Sequence, residues 1–449
     1  MVVNLQSKKR WTRLTILVVL LQGVLLFAII PRLSGPLHTS YNENLIADGY
    51  DQLADSLDAG QGYRFYPDTA KTLMREPGYP ILLAGLRLCF GRGMASVKIA
   101  NMILALATAW LTLLIARRLI PEAHHSFAVL AAAPLLYLFS PGTLVAESRG
   151  GVEILFGFLI AVFILTIYRL IASNRFLDFV ISGIVLGVIV LVRSTPMLFP
   201  VFLLIYLLFF EKRSISRFAI CRNVASMVIA MLAILSPWIV RNYSLTGKFV
   251  PTASVMGVSA QAGQYINTHL FEGRPWWLLD REASRQRDKV AAQLGYPFQD
   301  GPQGYYQTFY QSGDEIKFSN YLFHRVVTNY WDSPALFARC IAQNALNFWF
   351  AGKTWSATAI NAAVQLPYLI LAGMGIVYCL KNRRIRLAGP VVLFITYIWA
   401  VHMPILAQAR YSIPLIPLVS ILGAIGLIAV RSRSADSATM SKRFVISGT

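Results

Sequence analysis

Acidic residues are scarce in this 449-residue chain: 21 Asp and Glu stand against 41 Lys and Arg, leaving a formal charge of +20. Histidine and cysteine are scarcer, at six and four. Cys89, Cys221, Cys340 and Cys379 are scattered with no pair at metal-ligand spacing, which excludes a zinc module and a dense disulfide framework. Cys89 and Cys340 share one side of the topology derived below, so a disulfide is open to them; two buried thiols is the commoner arrangement. Repeats are lacking too, and the only stretch of biased composition is the Ser/Arg/Ala-rich tail from about 431, read as a solvated cytoplasmic end. The basic residues form no single basic domain. They lie in small clusters between apolar runs, which excludes a nucleic-acid footprint as the source of the positive charge.

What is abundant is apolar. The chain is 56% hydrophobic and 14% charged, with mean hydropathy +0.55, and its apolar runs reach the roughly 20 residues needed to cross about 30 Å of hydrocarbon. It reads as an all-α, polytopic membrane protein. Residues 14–31 resemble the apolar core of a signal peptide, but Ile29-Ile30-Pro31-Arg32 offers no small-residue cleavage site, so a retained first helix is expected. Spans are expected at about 13–31, 96–118, 126–140, 151–168, 176–192, 195–210, 222–240, 359–380, 388–404 and 411–430, ten in all. Alternate connections then carry about half of the basic residues, including Lys8-Lys9-Arg10, Arg117-Arg118, Lys212-Arg213 and Arg383-Arg384. The positive-inside rule makes that side, and both termini, cytoplasmic.

Two long segments, 32–95 and 241–358, fall outside. The expected organisation is a transmembrane module over 1–240 with its first outer loop at 32–95, an outer domain at 241–358, transmembrane helices at 359–430 and a tail at 431–449. From Glu43 to Leu57, Ile46, Tyr50, Leu53 and Leu57 recur at helical spacing while Asp48, Asp51 and Asp55 share another face, which predicts an interfacial helix with an acidic stripe. After the Gly60-Gln61-Gly62-Tyr63 turn the chain returns through Pro77 and Pro80 into a short apolar helix at about 81–90. The later segment shows helical patterns near 279–294 and 314–350 and carries Trp276, Trp277, Tyr305, Tyr306, Trp331 and Trp349. A small, mainly helical domain against the bilayer is expected there, with the Trp276-Trp277 pair in a headgroup belt.

Charge at a membrane edge is costly, so arginines on the outer side are candidate site residues. Arg75, Arg149, Arg193, Arg241 and Arg410 qualify. Their planar, permanently charged forks suit phosphate, and ordinary snorkelling is the alternative for each. Pro77, Pro80, Pro414 and Pro417 free backbone groups at membrane depth, which is tolerable only beside protein or a wet cavity; a cavity is therefore expected near Arg75 and Arg410. Glu147 and Glu153 flank Gly150-Gly151, with Glu153 better placed on its helix. Lys353, His324 and His402 rank lower, a lone histidine such as His402 being more often a satisfied helix-end residue.

The chain resembles GT-C-fold glycosyltransferases of the protein O-mannosyltransferase and lipid A aminoarabinose transferase type (glycosyltransferase family 39-like). An acidic residue in the first outer loop followed by tyrosine, alanine and leucine is matched by Asp48, Tyr50, Ala54 and Leu57. Arg-x-Pro-x-Tyr-Pro is matched at Arg75 to Pro80, Pro-Trp-x-x-Arg-Asn at Pro237 to Asn242 with Gly247 to Pro251 after it, and Arg-Tyr-x-x-Pro-x-x-Pro at Arg410 to Pro417. Four motifs in order on one expected side cover most of the chain except about 270–355. The resemblance implies transfer of a sugar from a polyprenyl-phosphate donor to a hydroxyl of a lipid, glycan or protein acceptor at the outer face of the cytoplasmic membrane, with membrane lipids as further partners. It implies Asp48 as general base, Arg75, Arg241 and Arg410 on the donor phosphate, and Tyr50, Asp51, Tyr79, Glu153, Arg193, Asn242 and Tyr411 as sugar, acceptor or lipid contacts. The family's second acidic residue is replaced by Gly49. That substitution leaves no support for a divalent metal and makes Asp51 the candidate substitute, so no cofactor is expected. The rival readings are an O-antigen ligase-type transferase centred on His324-Arg325 and a non-enzymatic flippase or transporter of lipid-linked glycans.

Overall fold

The computed structural model describes residues 5–29, 47–124, 126–210, 216–300 and 307–430. The expected tail at 431–449, the Lys212-Arg213 cluster, Tyr305-Tyr306 and residues 43–46 of the interfacial helix lie outside them. Within the described residues every expected span falls on a helix, because a backbone in hydrocarbon has to satisfy its own hydrogen bonds. Among the described residues seven helices are long and apolar enough to cross a membrane alone: Thr12–Ile29, Met94–Leu119, Val152–Ser173, Arg217–Thr246, Trp355–Lys381, Ile385–His402 and Ala409–Val430. Phe127–Leu138 and Pro141–Ser148 make an eighth crossing only as a pair bent by 47°. Phe176–Val192, at 17 residues, reaches about 25 Å, and Thr195–Phe209 is shorter still.

Small residues decide how closely these helices approach. Gly183 and Gly187, four apart, press Phe176–Val192 onto Arg217–Thr246: a Cβ on Gly183 would lie 2.2 Å from the Met227 carbonyl oxygen, and one on Gly187 2.7 Å from the Ile234 Cβ. Gly375 and Gly426 do the same for Trp355–Lys381 and Ala409–Val430, where a Cβ on either would lie about 2 Å from a backbone oxygen of the other helix. Larger side chains fill the centre, where Phe163, Phe199, Phe394 and Tyr397 meet edge to face.

Outside the bundle, the first loop and the later segment share one core. Leu53, Tyr63, Phe65 and Met74 pack with Val258, Ala291, Phe309, Phe318 and Leu322. The later segment is built from helices Met256–His269, Trp276–Gln293, Ser312–Asp332 and Pro334–Phe350, with a two-stranded antiparallel ribbon of Phe298–Asp300 and Gln307–Phe309. Trp276 does not join a headgroup belt. It is buried with Ile266 and Leu279 against Leu406, while its neighbour Trp277 is exposed. All four cysteines are free thiols: Cys89 and Cys221 are exposed, Cys340 and Cys379 buried.

Candidate active site

The expected acidic stripe is broken at its first residue. Asp48 and Gly49 both take left-handed backbone, φ 66° and 76°, and the α-helix begins only at Tyr50. Asp tolerates this region better than most residues, and glycine has no Cβ to oppose it. The pair swings the Asp48 carboxylate off the helix face that Asp51 and Asp55 occupy. Those two residues meet Arg87 from Gly78–Phe90, which hydrogen-bonds Asp51 and lies 3.0 Å from Asp55 and 3.8 Å from Asp58. Asp51 is thus held in a clamp between two helices, and the role suggested for it as a substitute second acid is not supported by its place.

Asp48 instead meets Arg410, whose guanidinium donates to its carboxylate at 2.5 Å across 362 residues of sequence. Arg410 is the second residue of the 3-10 stretch Ala409–Leu415. Two contacts fix that stretch: the Ala409 N–H donates to the Ala351 carbonyl at 3.1 Å, and Pro414 packs on Gly157, where a Cβ would sit 3.4 Å from it. Arg75 donates from Nε to the Asp48 carbonyl at 3.2 Å. Arg193, just past the end of Phe176–Val192, pairs with Glu153 at 3.3 Å. Glu153 lies in the first turn of its helix, where a negative charge suits the helix dipole, and is 4.0 Å from Arg410 Nε. Tyr411 stacks beneath both cations, its ring centre 5.3 Å from the Arg193 guanidinium and 5.5 Å from that of Arg410. Asp48, Tyr50, Gly150, Gly151, Val152, Glu153 and Arg410 line a small recess. Tyr79 supports its wall by donating to the Gly150 carbonyl and stacking edge-on against Tyr50 at 5.2 Å.

Burial alone would raise the Asp48 carboxyl; the fields of Arg410, Arg75 and Arg193 and the hydrogen bond from Arg410 outweigh it and hold the pKa at about 2. Burial pushes the Tyr50 phenol up, so its hydroxyl stays protonated. Among the described residues no group of three or more carboxylate, histidine or cysteine side chains gathers as a metal site.

Besides Asp51, two expected residues are placed elsewhere. Arg241 donates to the carbonyls of Thr72 at 3.0 Å and Tyr63 at 3.4 Å and to Asn242 at 2.9 Å, with its guanidinium 4.3 Å over Trp238. Asn242 is fully buried and donates to Val250 and Thr252 carbonyls. Both line no part of the recess; they brace the outer segments, because the forks of the two side chains fit strap carbonyls as well as they fit ligands. Arg149 is exposed and also outside the lining. His402 is satisfied as expected, its Nδ1 2.7 Å from the Ile398 carbonyl oxygen.

Sequence reading missed two groups. The Glu76 carboxylate accepts from the Ser194 N–H at 3.0 Å, tying the Arg75 loop to the Arg193 turn. Asp280, on Trp276–Gln293, stands in the fields of Arg287, Lys353, Arg410 and Asp48, and burial raises its carboxyl against the lowering pull of those cations. No spacing signal in the chain links residue 280 to residue 48. For Glu76, its place inside the Arg75 to Pro80 motif was the available clue.

Residues 75–240 match the family described as dolichyl-phosphate-mannose-protein mannosyltransferase, little more than a third of the chain. No curated protein matches the chain. Among solved structures it is similar to ArnT from Cupriavidus metallidurans bound to undecaprenyl phosphate, at TM-score 0.55 and 14% identity over 97% of this chain and 63% of that one. It is similar also to the apo state of the same protein, at TM-score 0.50 and 15% identity with the same coverage. The chain thus spans less than two thirds of the length of the ArnT it matches. At such identity the likeness is one of fold, and the fold is GT-C.

Proposed function

We propose that the chain is a membrane glycosyltransferase that moves a sugar from a polyprenyl-phosphate donor to a hydroxyl of a lipid, glycan or protein acceptor at the outer face of the cytoplasmic membrane. The observation that carries this reading is the convergence of Asp48, Arg410 and Glu153 on one recess, with Arg75 and Arg193 holding Asp48 and Glu153 from outside its lining. The match to a family of polyprenyl-linked mannosyl transfer over residues 75–240 and the likeness to an undecaprenyl phosphate-bound ArnT support the donor class.

The acceptor hydroxyl gives its proton to Asp48 as its oxygen bonds to the anomeric carbon. The bond from that carbon to the phosphate oxygen breaks, and the lipid phosphate leaves with the electron pair. One base serving one displacement implies inversion. Phosphate is a competent leaving group, so no general acid is required; Arg410, Arg75 and Arg193 stabilise the charge it gains. A carboxylate with pKa about 2 is a weak base, and a base works best with a pKa near the operating pH. The donor supplies the remedy. Its phosphate competes for Arg410, and a carboxylate relieved of the strongest of its lowering partners rises, because burial then counts for more against Arg75 and Arg193. The base is activated by the substrate it serves. His324 and Arg325 are exposed and outside this recess, which favours the first-loop site over the ligase-type alternative.

The test is purified protein in nanodiscs challenged with a panel of polyprenyl-phosphate sugars and scored for release of lipid phosphate and glycosylated product. Release that is absent with every donor, or undiminished in Asp48→Asn, sinks the reading.

A further inference from the structure

The segment from Thr72 to Glu76 forms neither helix nor strand, yet it carries Arg75 to the site. Its position therefore depends on clamps from outside. On one side stands Glu315, a fully buried carboxylate of helix Ser312–Asp332. One of its oxygens accepts from the Thr72 hydroxyl at 2.8 Å. The other accepts from the Leu73 N–H at 3.0 Å and from the Ser254 hydroxyl. Ser254 closes the ring, its N–H donating to the Leu73 carbonyl at 2.8 Å. On the other side Arg241 holds the Thr72 carbonyl, and the Tyr63 hydroxyl donates to the carbonyls of Arg75 at 3.2 Å and Glu76 at 2.9 Å.

A carboxylate buried for stability alone is a poor investment, since desolvation costs several kcal/mol and a shape-matched apolar side chain does as well. Here the acceptor capacity of both oxygens is used to fix one irregular strap, and the strap delivers Arg75 to Asp48 and Glu76 to Ser194. We propose that Glu315 is a positioning residue for Arg75, through which the later outer segment sets the geometry of the phosphate site. Glu315 and Ser254 both lie beyond the residues matched by the mannosyltransferase family. The proposal rests on the reading of Arg75 as a phosphate ligand, and its test separates the two.

Full-length wild type, Glu315→Ala, Glu315→Gln, Arg75→Ala and the Glu315→Ala/Arg75→Ala double variant are compared in nanodiscs, with Lys317→Ala, an exposed residue on the same helix, as control. Hydrogen exchange over 72–76 is read without ligand, and affinity for sugar-free undecaprenyl phosphate is read separately. The expected result is faster exchange across 72–76 in Glu315→Ala, a smaller change in Glu315→Gln, and about tenfold weaker phosphate binding in Glu315→Ala. The double variant should bind no more weakly than Arg75→Ala alone, the non-additivity of two residues acting through one contact. Unchanged exchange, or losses that simply add in the double variant, overturns the proposal. Wild-type protein that does not bind undecaprenyl phosphate refutes the donor reading and with it the role of Arg75, while the exchange arm still decides whether Glu315 holds the strap. Should Glu315→Ala not fold, Thr72→Val and Ser254→Ala, each deleting one donor, replace it under the same criteria.

Discussion

Asp48 carries the sharpest predictions. Asp48→Asn should insert normally yet lose at least about 10²-fold in turnover, the usual lower range for general-base assistance; comparing kcat for the purified variant and wild type checks this. Its depressed pKa also makes it a stabilising group whose contribution is present above its unfolded pKa near 3.8 and is lost as pH falls through about 2. The shift corresponds to at most about 2 kcal/mol, because the Asp48 side chain keeps 23% of its surface exposed and solvent screens part of the pairing. The difference in thermal midpoint between wild type and Asp48→Asn should therefore hold from neutral pH down to about 4 and close below it. Activity should respond differently. If the donor phosphate draws Arg410 away, the acid limb of the kcat profile lies at higher pH than that of kcat/KM, since the first reports the substrate complex and the second the free enzyme. Coincident limbs would show that Asp48 keeps its partner through the reaction.

Among the elements, the close helix crossings and the turn before Tyr50 are the positions least tolerant of change. Gly183→Val places side-chain atoms where the Met227 carbonyl already stands and should cost about 1–3 kcal/mol by overpacking, read as a lower melting temperature in detergent. Gly49→Ala, forced to φ 76°, should cost about 1–2 kcal/mol and move the Asp48 carboxylate, so activity should fall further than stability. The helices of the bundle were legible because a run of about twenty apolar residues has few alternatives. The break at Asp48 was not: periodicity placed Asp48, Asp51 and Asp55 on one face, and Gly49 alone hinted that the backbone turns there. The arginines were equally opaque. Arg75, Arg241 and Arg410 sit in similar proline- and aromatic-rich motifs, but a guanidinium satisfies strap carbonyls and phosphates by the same fork, and only tertiary placement separates Arg241 from the other two. Asp280 and Glu315 reach the site or its support across more than 200 residues, a separation at which no pattern in a single sequence reports contact.

Across the whole molecule, the orientation expected from the basic loops can be read from the protein's own thiols. Cys89 lies in the first outer loop and Cys221 near the start of the span after the Lys212-Arg213 cluster; both are exposed, while Cys340 and Cys379 are buried. In intact spheroplasts a membrane-impermeant maleimide should label Cys89 and spare Cys221, which should react only after permeabilisation; the reverse pattern would invert the topology and move the recess to the cytoplasm. The pairing of Asp48 with Arg410 has a consequence for biogenesis as well. The ribosome delivers the carboxylate early and its guanidinium partner 362 residues later, so a nascent protein can thread most of its helices into the bilayer while its reaction centre is still half built. Stalled or prematurely terminated products would then lack the Asp48–Arg410 pair altogether.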